Sequence, residues 1–207
     1  MRLSPGLALS SVLLLLAIPG LAFAQTPCDS LELTVKVTFP NDPGYEGLYK
    51  YSIQGAWDVG GFGLSHLDVF LQLEECQCKC QPGIVQFTTV AGQSSGVMEG
   101  TPDSCTVYFS GEYLCEGDPS ISEEFAGPTV KFDAEDAGAC EAGVMGSGSW
   151  WFYSALPPGS SQTYAGRAAI KHGQDICVGD VVGQLPICQC PTAVESKTWG
   201  GVKSIYR

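Results

Sequence analysis

"LELTVKVTF", residues 31–39, alternates without a break. Leu31, Leu33, Val35, Val37 and Phe39 occupy one set of alternate positions, and Glu32, Thr34, Lys36 and Thr38 the other. Successive side chains of an extended chain point to opposite faces, so this is a strand with one face on a core and one in water. The pattern recurs. "YKYSIQGAWDV" turns Tyr49, Tyr51, Ile53, Trp57 and Val59 inward, and "LSHLDVFLQL" does the same with Leu67, Val69, Leu71 and Leu73. Further strands are predicted over 84–90, 106–109, 112–115, 129–133, 149–155, 167–171 and 175–178. Gly- and Pro-rich turns such as "NDPG" (41–44), "GDP" (117–119) and "LPPGSS" (156–161) divide them. Between residues 25 and 190 no helical periodicity stands out. That excludes a doubly wound α/β fold and predicts an all-β protein, an antiparallel two-sheet β-sandwich.

Cysteine usage sets the chemistry that staples this sheet. Cys28, Cys76, Cys78, Cys80, Cys105, Cys115, Cys140, Cys177, Cys188 and Cys190 make an even set of ten. "EECQCKCQPG" (74–83) spaces three of them two apart, and "ICQCP" (187–191) answers with two more. Alternate side chains on a strand stand roughly 7 Å apart, too far to share one small ion, and zinc pairs are usually spaced by two to four residues. No CxxC redox pair is present. Disulfides are therefore expected throughout, with no metal centre and no cofactor. "CQCKC" and "CQC" read as two strand ends stapled together. Cys105 and Cys115 bracket "TVYFSGEYL", where Ser110-Gly111 reads as a hairpin turn that would let the two cysteines meet. Cys28 and Cys140 have no obvious partner.

Residues 1–24, "MRLSPGLALSSVLLLLAIPGLAFA", show the three-part layout of a secretory leader: Arg2, an apolar run, and small residues at Ala22 and Ala24. The expected organisation is a leader (1–24), a disulfide-rich domain (25–190) and a C-terminal tail (191–207). The tail, "PTAVESKTWGGVKSIYR", ends basic in an otherwise acidic chain and reads either as a frayed terminus or as a sorting or anchoring signal recognised by an export system. A formal net charge of −12 argues against nucleic acid and anionic membranes as partners. No stretch is long and apolar enough to predict a membrane span.

Three groups of residues invite chemistry. Ser65, His66 and Asp68 hold the ingredients of a hydrolase triad. Strand alternation would put Ser65 and His66 on opposite faces, leaving His66 and Asp68 together as a structural pair. The acidic run Asp133–Asp136 lacks the ordered ligand spacing of a calcium loop and reads as solvated charge. In "SWWFYS" (149–154) Trp150 and Phe152 share one face, and Trp151 and Tyr153 the other. The outward pair, Trp151 and Tyr153, is either a cover for the sheet or a platform for a glycan or protein ligand. No catalytic residue is assigned.

"LSHLDVFLQLEEC" (64–76), "VKFD" (130–133), "WWFYSALPPG" (150–159) and "AAIKHGQDICVGDVVGQLPIC" (168–188) together resemble a family of bacterial exported β-sandwich domains common in cell-surface proteins. The likeness spans most of residues 49–190 in order and spacing. Cys78, Cys80, Cys190 and Gln184-Leu185-Pro186 depart from its pattern. "TWGGVKSIYR" (198–207) is similar to a short tail that recurs on exported bacterial proteins. The resemblance implies a secreted or cell-surface protein of structural or adhesive character, and brings no enzymatic activity with it.

Overall fold

The computed structural model describes residues 26–59, 63–73, 80–121, 127–135, 140–159, 166–173 and 175–188. The expected leader and tail lie outside the described residues, as do Cys76, Cys78, Cys190, Asp136 and the side chain of Cys28. Every regular element described is a strand: β1 (Thr26–Thr38), β2 (Tyr49–Asp58), β3 (His66–Phe70), β4 (Val85–Gln86), β5 (Gly92–Met98), β6 (Ser104–Leu114), β7 (Thr129–Ala134), β8 (Cys140–Glu141), β9 (Met145–Ser154), β10 (Gly166–His172) and β11 (Asp175–Gly183).

All-β is right, but the expected two-sheet sandwich is not what forms. The strands follow one another in the order β9-β2-β1-β11-β10-β3-β7-β6-β5, and β5 then pairs back onto β9 to close a nine-stranded barrel. β4 and β8 add short ladders to β9 and β5. A closed ring with an odd number of strands cannot be antiparallel throughout. The one parallel pair is β1 with β11, with Leu33 opposite Val181 and Val35 opposite Gly183. Period-2 alternation is identical in a sandwich and in a barrel, since both bury one face of each strand. What distinguishes them is the β5–β9 seam, where Gly92 pairs with Trp150 and Ser94 with Gly148. A Cβ on either glycine would strike the Trp150 indole, so the seam closes only because neither carries one.

The inward positions read from sequence fill the barrel. Leu31, Leu33, Tyr51, Ile53, Trp57, Leu67 and Val69 are buried, and Trp150, Phe109, Phe132 and Phe152 complete the centre. Register explains the fit: Val37 lies opposite Tyr51, Val35 opposite Ile53 and Leu31 opposite Trp57, so each pair shares the inner face. The Tyr51 ring stacks on Phe152 at 4.9 Å, and Phe109 meets Trp150 edge-on at 5.7 Å. Outside, Glu32, Thr34 and Lys36 are exposed. Phe39 lies past the end of β1 and is exposed, contrary to its expected inward place.

Two expectations about β6 fail together. Ser110-Gly111 is not a turn; the chain runs extended through it as one strand. Gly111 is there because the Phe87 ring occupies the space its side chain would need. Cys105 and Cys115 therefore sit far apart along β6 and its end. Cys105 bonds to Cys140 on β8, and Cys115 bonds to Cys80. Cys80 is thus stapled to the end of β6 and not to the "CQC" segment. Cys177 and Cys188 are also disulfide-bonded. Each of the two defined bridges spans 35 residues, which stabilises by roughly 3–4 kcal/mol in the loop-entropy picture.

Candidate functional site

Among the described residues, charge is buried on the outer face of β3. Leu67 and Val69 point inward, so His66 and Asp68 point out. Pairing with β10 and β7 lines up two rows on that face, Lys171–His66–Asp133 and Ala169–Asp68–Lys131. The segment Asp118–Ile121, from the connection between β6 and β7, folds over these rows. Ile121 packs against Ala169, with Phe70, Ile176 and Val178 around them. Lys171 Nζ donates to the Ser120 carbonyl at 2.6 Å. Under this cover His66 is 8% exposed, Asp118 7% and Asp68 0%.

His66 Nε2 lies 3.3 Å from Asp68 Oδ2 and 3.8 Å from Asp118 Oδ2. On the other side of the ring, Nδ1 lies 3.9 Å from Asp133 Oδ1 and 3.5 Å from Ser65 Oγ. Lys131 Nζ bridges Asp118 Oδ2 at 3.3 Å and Asp133 Oδ1 at 3.1 Å. The Ser120 N–H donates to Asp118 Oδ1 at 2.7 Å, which fixes the direction of Oδ2. His66 Nε2, both oxygens of Asp68 and Asp118 Oδ2 are buried with no hydrogen-bond partner. The 3.3 Å approach of His66 to Asp68 is an ion-pair distance, off the line of an N–H bond.

Burial pushes the Asp68 carboxyl above its ordinary range, and the neighbouring His66 only partly offsets this. Asp118 is pushed up by burial too, but the Ser120 hydrogen bonds and the Lys131 ammonium hold it below the usual value. Burial pulls Lys131 down, and its pairing with Asp133 and Asp118 holds it above. Three of these groups, His66, Asp68 and Asp118, bring donor atoms within 4.8 Å of one another and could hold a metal ion. Asp133, expected to be solvated charge, is half-buried against Lys131.

Ser65 corrects one premise. The structure puts its hydroxyl beside the His66 ring, because β3 begins at His66 and strand alternation does not reach back to Ser65. Ser, His and Asp thus stand in a row. The serine hydroxyl donates to the Lys171 carbonyl, so its proton is already directed away from the imidazole, opposite to what a nucleophile needs. Asp118 is the residue that sequence reasoning missed. It sits in the "GDP" stretch read only as a turn, and nothing in its spacing ties it to His66.

Trp151 and Tyr153 do share the outer face, and they are covered there. Tyr45 stacks on Tyr153 at 4.1 Å, the Tyr153 hydroxyl donates to Asp42 Oδ2 at 2.7 Å, and Tyr153 is 2% exposed. Trp151 donates to Thr88 Oγ1 at 2.8 Å and stays half-buried, with Lys50 Nζ 5.8 Å from its ring. The Tyr153 ring stacks on Tyr45, and Lys50 Nζ lies 5.4 Å from its centroid. No family model, curated protein or solved structure matches the chain.

Proposed function

We propose that the chain is an exported, disulfide-stapled β-barrel domain with a structural or adhesive role at the bacterial surface, and that it performs no catalysis. The observation that carries this reading is the filled barrel. Trp150, Tyr51, Phe109, Phe132 and Phe152 are wholly buried at its centre, where a carrier barrel would hold its ligand. Any partner then meets the outer wall. That wall mixes polar residues such as Glu32, Thr34 and Lys36 with exposed Val97, Met145 and Val182. The disulfides support an oxidising, non-cytoplasmic compartment, where such bonds persist. The resemblance of its four stretches to exported surface domains supports the same placement.

Surface biotinylation and fractionation of a bacterium expressing the full chain test it. The reading expects the protein on the cell surface or in the medium. Recovery in the cytoplasm would defeat it.

A further inference from the structure

We propose that His66, Asp68 and Asp118 bind a divalent transition-metal ion, with zinc the best fit. This inference is independent of the surface role above. The donors have the right dimensions: bonds of about 2.0–2.1 Å at tetrahedral angles place donor atoms about 3.4 Å apart. His66 Nε2 stands 3.3 Å from Asp68 Oδ2 and 3.8 Å from Asp118 Oδ2. An imidazole with two carboxylates is a donor set suited to zinc and its neighbours.

Hydrogen bonding points the same way. Asp68 is completely buried, and neither of its oxygens has a partner. The facing atoms, His66 Nε2 and Asp118 Oδ2, make no hydrogen bond either, although Lys131 Nζ stands 3.3 Å from Asp118 Oδ2. Buried polar atoms are otherwise almost always satisfied, and a buried carboxylate left unpaired is among the most expensive exceptions. A cation among these atoms answers all four at once.

Charge agrees. Asp68, Asp118 and Asp133 bring three carboxyl groups together, and Lys131 Nζ lies within ion-pair distance of Asp118 and Asp133. Three carboxyl groups against one ammonium leave an excess of acidic groups that a divalent ion would offset. The outer partners also aim the donors. Ser65 Oγ, whose own proton goes to the Lys171 carbonyl, stands 3.5 Å from Nδ1 as an acceptor, which turns the Nε2 lone pair toward Asp68 and Asp118. Ser120 N–H does the same for Asp118. The ion would pin the 118–121 segment to β3, close in sequence to the Cys80–Cys115 bridge.

The test uses the oxidised full chain, stripped with a chelator and then titrated with zinc chloride. Uptake is followed by competition with a chromogenic chelator, and stability by thermal melting. One zinc per chain and a rise in Tm of several degrees are expected. Both should vanish in His66→Ala and in Asp118→Asn, and both should persist in His172→Ala. Asp118→Asn keeps the side-chain shape, so it decides the matter even if His66→Ala does not fold. A wild-type chain that takes up no zinc, with its melting unmoved and a proton on His66 Nε2 by NMR, overturns the proposal. Equal uptake by Asp118→Asn and wild type overturns it as well.

Discussion

Gly92 pairs with Trp150 across the β5–β9 seam, and the indole lies where a side chain on Gly92 would have to be. The seam that closes the barrel runs through this pair, Gln93–Ser149 and Ser94–Gly148. Gly92→Val is therefore expected to destabilise by about 1–3 kcal/mol or more, because neither backbone nor indole has room to give. Gln93→Val, next to it and exposed, should stay within about 0.5 kcal/mol of wild type. Denaturant melts of the two variants check the contrast.

The Cys105–Cys140 bridge joins β6 to β8 across 35 residues. Replacing both cysteines by alanine should cost about 3–4 kcal/mol, with the barrel still formed below its lowered Tm. Circular dichroism melts under non-reducing conditions measure it.

Two phenols, Tyr51 buried and Tyr113 half-buried, predict a loss of stability in alkali. Burial lifts Tyr51 well above the usual 10.0, and its hydroxyl donates to the Leu156 carbonyl at 2.8 Å. Burial, with Glu116 nearby, lifts Tyr113 to about 12. The folded chain keeps these protons where the unfolded chain has lost them. Their contribution is thus whole below pH 10 and drains away as pH climbs through 12. Tyr113→Phe should flatten this fall. Tyr51→Phe should flatten it too, at a cost of about 1 kcal/mol at neutral pH for the lost hydrogen bond. Unfolding free energies from pH 8 to 12, taken quickly enough to spare the disulfides, show the difference.

The ring of strands is complete at Gly183 in β11. Deleting residues 191–207 should leave folding intact and shift the protein between cell-surface and medium fractions. An unchanged distribution would remove the sorting role of the tail.

Much of this was legible in the residues, and what was not has physical reasons. Leu31–Val37, Tyr51–Trp57 and Leu67–Leu73 betray their inward faces because period-2 alternation is local. β5, "GQSSGVM", escaped notice because its glycines are chosen for close approach and not for strand propensity, and with it went the seam that separates barrel from sandwich. Gly111 misled in the same way: a glycine that makes room for Phe87 looks like a glycine that makes a turn. His66 and Asp68 could be placed together from their spacing of two. Asp118 could not, since a loop folding back over a sheet leaves no periodic trace.

Mass mapping of the bridges in the purified, unreduced protein tests the central claim most directly. A stapled barrel exported to an oxidising compartment predicts peptides joined through Cys80–Cys115 and Cys105–Cys140. A peptide joining Cys105 to Cys115, or free thiols at these four positions, would contradict both the topology and the compartment.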